Sequence, residues 1–104
     1  MSNLSDIRTK KTPITLGEKT FHLHYDLNAF AELEEIYGSV EKAMSTLREG
    51  SVKAIINVLW AGIIHEDEAI SQKDVGKALD LSEIEEVLKL INKAISEALP
   101  KHEQ

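Results

Sequence analysis

Apolar and polar residues first alternate along this chain, then change to a spacing of three and four. Ile14 and Leu16 alternate with polar neighbours, as do Phe21, Leu23 and Tyr25, and Gly17-Glu18-Lys19 lies between the two runs. This period of two around a short glycine-containing connection predicts a β-hairpin. One face is apolar, and the other carries Thr15, Thr20, His22 and His24. Two strands alone are only marginally stable in water, so the rest of the chain is expected to cover the apolar face.

The remaining pattern is helical. Asp26 is placed to cap a helix with Leu27, Phe30, Leu33, Ile36 and Tyr37 as its apolar positions and Gly38 as its end. Ser39 is placed to cap a second helix from Val40 to about Arg48, which stops at Gly50. Ser51 opens a third, in which Val52, Ile55, Ile56, Leu59, Trp60, Ile63 and Ile64 match the helical template in full. Ala54, Val58, Ala61 and Gly62 leave that helix little polar surface, so it is predicted to be the central core helix or an interface. His65-Glu66-Asp67-Glu68 breaks the apolar run. Ser71 with Asp74 resembles a capping box and starts a short helix through residue 79. Ser82 with Glu85 predicts a capping box for a long amphipathic helix with Ile84, Val87, Leu88, Ile91, Ala94, Ile95 and Ala98 inside, ended by Pro100.

The fold class that follows is α+β, mostly α: an N-terminal β-hairpin packed on a cluster of four to five helices. Residues 1–12, which show no periodicity, are expected to form a flexible arm, and residues 13–100 a single domain.

At 104 residues the chain is one domain's worth. The absence of cysteine excludes disulfides, thiolate metal sites and cysteine nucleophiles. Twelve basic against eighteen acidic side chains leave a net charge of −6. Residues 1–25 carry +2 and the rest −8. An acidic body repels nucleic-acid phosphates and anionic membranes. The longest apolar stretch, residues 52–64, is interrupted by Lys53 and Asn57 and is shorter than the ~20 residues a membrane span needs. No apolar signal segment opens the chain, so a cytoplasmic protein is expected.

Few residues offer chemistry. His22 and His24 point to the same face of a strand, but a zinc site wants three or four ligands and no third is identifiable nearby, so both are expected to be solvated. His65-Glu66-Asp67-Glu68 lacks the alternating oxygens and glycine turn of a calcium loop and reads as a polar connection. Glu32, Glu34 and Glu35 fall on the polar side of an amphipathic helix, without the burial that would raise a carboxyl's pKa. There is no phosphate-binding glycine loop, nucleophile elbow or zinc-protease helix motif. No catalytic, cofactor-binding or metal site is therefore expected. Trp60 obeys the core periodicity, with an anchor for another protein as the alternative.

Two strings carry a resemblance. Tyr25-Asp26-Leu27-Asn28-Ala29 runs on to Glu32-Leu33-Glu34, and Trp60-Ala61-Gly62 leads to His65-Glu66-Asp67. In this order, over about residues 14–98, the chain resembles the tail assembly chaperones of long-tailed bacteriophages, especially those of prophages in Gram-positive bacteria. The resemblance implies a non-enzymatic morphogenetic factor that coats the tape measure protein, keeps it soluble, recruits tail tube protein and is displaced before the virion matures. It also implies work in many copies, hence a homo-oligomer. Trp60, Ile63 and Ile64, with the outer part of the hairpin, are the candidate binding residues. The competing readings are a small prophage DNA-associated regulator or a protein–protein adaptor. A regulator wants a basic recognition helix, and no helix here has an Arg/Lys face.

Overall fold

The computed structural model describes residues 12–99. Strands β1 (Thr12–Leu16) and β2 (Lys19–Leu23) form an antiparallel hairpin in which Ile14 faces Phe21 and Leu16 faces Lys19. Lys19 is therefore already in β2, and the connection is the two residues Gly17 and Glu18. Gly17 has φ +65°, a backbone conformation that favours glycine, and two-residue hairpin loops require such a position. Ile14, Leu16, Phe21, Leu23 and Tyr25 are all buried, as the alternation predicts. The first strand starts at Thr12, which is itself buried although its Oγ1 has no hydrogen-bond partner. The arm expected at residues 1–12 thus gives up its last residue to β1, and residues 1–11 lie outside the described residues.

Five helices follow: α1 (Leu27–Tyr37), α2 (Val40–Arg48), α3 (Val52–Ile63), α4 (Gln72–Ala78) and α5 (Ile84–Ala98), the last entered through a 3-10 turn at Leu81–Glu83. Serine or aspartate caps set the starts of α1 to α4. The side chains of Asp26, Ser39, Ser51 and Ser71 accept from the backbone N–H groups of Ala29, Lys42, Ala54 and Asp74, satisfying donors that have no partner within a helix. Asp74 returns the bond to the Ser71 N–H, completing the capping box. The box expected from Ser82 and Glu85 does not form. Its place is taken two residues earlier, where the Asp80 N–H donates to Glu83, because the chain tightens into a 3-10 turn before α5 begins.

Helix α3 is the centre of the molecule. Ala54, Ile55, Val58, Leu59, Ala61 and Ile63 are each at most 1% exposed, because α1, α2, α4, α5 and β2 all pack against this one helix. Its polar Asn57 is buried too, and Nδ2 donates to the Tyr37 hydroxyl over 3.1 Å. Elsewhere the predicted apolar stripes are too wide. In α1 the buried positions are Ala29 and Leu33, while Leu27 is 84% exposed. At about 100° per residue Leu27 sits about 120° round the helix from Leu33, beyond the reach of the core. Ile36 and Val52 are exposed as well. At the far end of α5 Ala98 is exposed, since none of the other described elements covers the final turn. No helix among the described residues is long and apolar enough to cross a membrane.

Candidate functional site

The hairpin meets α3 at its C-terminal turn, and glycine makes the contact possible. A Cβ on Gly62 would lie 2.7 Å from Tyr25 Cζ, 2.8 Å from its hydroxyl and 2.9 Å from Leu23 Cδ2. With only hydrogen there, the Tyr25 ring lies against the helix and its hydroxyl donates to the Val58 carbonyl over 2.7 Å. Burial pushes the Tyr25 phenol far above its ordinary pKa, so it stays a neutral donor.

Beyond Gly62 the chain clasps the outer edge of β2. The His24 N–H donates to the Gly62 carbonyl (2.9 Å), one of the carbonyls that a helix leaves unpaired at its end. The His22 N–H donates to Glu66 Oε1 (2.9 Å), and the His22 ring Nδ1 lies 3.1 Å from Glu66 Oε2. His65 Nε2 is 2.7 Å from the His22 carbonyl. Because a carbonyl only accepts, Nε2 carries the proton. The rings of His24 and His65 meet edge to face, with centroids 5.4 Å apart. The two strand histidines are therefore not simply solvated, and the polar connection is not a passive loop. Together they satisfy a strand edge that would otherwise be open to pairing with another chain. Among the described residues no three His, Cys, Asp or Glu side chains are grouped to hold a metal ion.

Opposing effects act on Glu66. Desolvation pushes its carboxyl upward, but the His22 backbone N–H, the His22 ring and the charges of His22 and His65 together outweigh that and hold it below the ordinary carboxylate value. A folded-state pKa below the unfolded one contributes stability that is present above the unfolded pKa and lost as pH falls through the folded value. Stability measured by urea unfolding is therefore expected to decline as the pH drops below about 4.5, and Glu66→Gln is expected to flatten that part of the profile. An unchanged acid limb in Glu66→Gln would show that the clasp contributes nothing to it.

The clasp also builds one wall of a cleft of about 300 Å³. Asp26, Asn28 and Glu32 line it from the start of α1, Trp60 and Ile64 from the end of α3, and His65 and Glu68 from the turn that follows. Trp60 is half-buried. Its Nε1 donates to the Ile70 carbonyl over 3.0 Å, which fixes the ring between α3 and the segment leading to α4. Ile64 is half-buried beside it. Of the three residues expected to bind another protein, Trp60 and Ile64 thus reach the same cleft, one helical turn apart. Ile63 does not: it is 0% exposed and belongs to the core. Glu34 and Glu35 sit on an exposed face as expected, whereas Glu32 turns into the cleft. From sequence Asp26 reads as a cap, His65 and Glu68 as parts of a polar connection, and Asn28 only as part of a resemblance string; that they line one cleft arises from α1 and α3 being packed together.

These features describe a small acidic α+β fold with a cleft, lined in part by Trp60, between the start of α1 and the end of α3. Residues 14–103 match the family model of phage tail assembly chaperone proteins (TAC), and the chain belongs to that family, whose role in tail assembly is non-enzymatic. Searches among curated proteins and among solved structures give no significant match.

Proposed function

We propose that the chain binds the tape measure protein in the host cytoplasm, keeps it soluble, helps recruit tail tube subunits and leaves before the virion is complete, acting as a homo-oligomer. Membership of the family supports an assembly role. The observation that carries the binding half of this reading is the cleft itself. It holds a half-buried tryptophan and an isoleucine in an accessible depression, and the 84% exposed Leu27 stands between two of the residues that line it. Aromatic side chains are the commonest anchors of protein–protein contacts, and an apolar client helix matches such a surface.

Co-expression with the tape measure protein of the same genome tests this. The expected result is a soluble client that co-purifies with several copies of the chain, with Trp60→Ala reducing recovery about tenfold or more, as loss of a central aromatic anchor does. A client that aggregates equally with and without the chain would refute the reading.

A further inference from the structure

The cleft beside Trp60 has a charge of its own. Asp26, Glu32 and Glu68 line it, and no Lys or Arg does. None of the three carboxylates forms an ion pair with another described residue. Asp26 uses one oxygen to cap α1. Glu32 is half-buried and has no hydrogen-bond partner among the described residues. The His65 Nε2–H does not answer these charges, because it is spent on the His22 carbonyl. This is more than the acidic average of the chain. At the opposite end of α3 a second depression, lined by Val52, Ile56, Asn57 and Gln72, carries Lys53 and Lys73 and no carboxylate.

The indole narrows the kind of cation that fits. Trp60 is held by the bond from its Nε1–H to the Ile70 carbonyl, so it lines the cleft as a fixed π surface whose one donor is already used. Tryptophan attracts cations better than the other aromatic side chains do. A metal ion does not suit the carboxylates, since among the described residues no three His, Cys, Asp or Glu side chains are grouped to hold one. An extended organic cation can reach them in turn. A guanidinium is planar and weakly hydrated, stacks on an aromatic ring and forks its N–H groups to carboxylates. Ile64, one helical turn beyond Trp60, adds apolar area in the same cleft. The group that carries the cation therefore needs an apolar side, as a helix docked in a groove has.

We infer that the cleft receives an apolar helix of the client that bears an arginine. Its guanidinium lies on Trp60 and between Glu32 and Glu68, and its apolar side lies on Ile64. That this helix belongs to the client rests on the function proposed above. The preference of the cleft for a guanidinium does not, and it is read on the chain alone.

Two synthetic peptides of about four helical turns test that preference. Both carry leucines along one face and glutamines elsewhere, with a central arginine in one and citrulline in the other. Citrulline keeps the shape of arginine without its charge. Trp60 is the single tryptophan, so its indole N–H gives one NMR signal that reports on the cleft. At low salt the arginine peptide is expected to shift that signal and to bind the full chain about tenfold more tightly than its citrulline twin. The ratio is expected to shrink in about 1 M sodium chloride, where the screening length falls to about 3 Å. In the Glu32→Gln, Glu68→Gln double variant it is expected to fall to about twofold, the part owed to the indole. Asp26 is left intact there to keep the cap of α1, and unchanged circular dichroism shows that the variant is folded. Equal affinity of the two peptides for the wild type overturns the inference. So does an arginine preference that survives in the double variant, or no binding of the arginine peptide up to about 5 mM.

Co-expression with the double variant keeps the two readings apart. A client that is soluble with the wild type and lost with the double variant supports both. A client retained equally by both chains leaves the chaperone reading standing and overturns the inference. A client that aggregates with the wild type refutes the chaperone reading, and the peptide ratio still decides what the cleft prefers.

Discussion

Gly62→Ala is expected to lower the thermal midpoint by about 10–20 °C, although alanine is the better helix former. The added methyl would sit within 3 Å of three atoms of Tyr25 and Leu23, both buried. Neither can swing aside into solvent, and overpacking of this kind costs about 1–3 kcal/mol. Moving the Tyr25 ring also breaks its hydroxyl's bond to Val58, and an unpaired buried hydroxyl adds about 1–3 kcal/mol. The gain in helix propensity offsets at most about 1 kcal/mol. The net is about 1–5 kcal/mol, centred near 3, each worth roughly 4–8 °C in a domain of this size. Gly76→Ala is the matching control. There the new Cβ meets only the terminal methyl of Ile56, at 3.3 Å. That variant is expected to be neutral or up to about 1 kcal/mol more stable. Thermal unfolding followed by circular dichroism decides both, and equal midpoints for Gly62→Ala and wild type would mean that the hairpin does not rest on α3 as described.

Ile63→Ala and Ile64→Ala are expected to separate the core from the cleft. The two side chains are neighbours in sequence and equally apolar, but Ile63 is fully buried and Ile64 lines the cleft. Truncating Ile63 leaves a cavity in a close-packed centre and is expected to cost about 2–5 kcal/mol. Loss of client from that variant would follow from unfolding. Truncating Ile64 removes apolar area that is already partly wet, and is expected to cost about 1 kcal/mol or less in stability. Client retention should nevertheless fall, because the lost surface is the one offered for binding. Urea midpoints together with co-purification distinguish the two. An Ile64→Ala variant as unstable as Ile63→Ala would place the cleft floor in the core and remove it as a docking surface.

Much of the fold was readable from local rules because the forces that decide it are local. A side-chain oxygen at Asp26, Ser39, Ser51 or Ser71 satisfies backbone donors three residues away, so helix starts are written in short strings. Strand alternation settled which hairpin face is buried, since a register slip would turn every side chain over. The density of apolar residues in α3 marked it as central. Local reasoning failed where two rules competed at one place. At α5 the string Ser82–Glu85 looked like a cap, yet the 3-10 turn moved the reciprocal bond to Asp80 and Glu83.

By itself, then, the sequence determined a β-hairpin, four to five helices and their order, a core built on α3, an acidic surface and a family resemblance. Only the tertiary structure decided that Gly62 is the seat of Tyr25, that Glu66 and His65 close the edge of β2, and that Trp60 and Ile64 share a cleft with Asp26, Glu32 and Glu68. The reason is physical. The hydrogen bonds that tie the hairpin to α3 and to the turn after it join residues 33 to 44 positions apart, and the cleft brings the start of α1 to the end of α3, where no periodicity or spacing couples one side chain to another. Which face of α3 is left accessible depends on what the other elements have already covered.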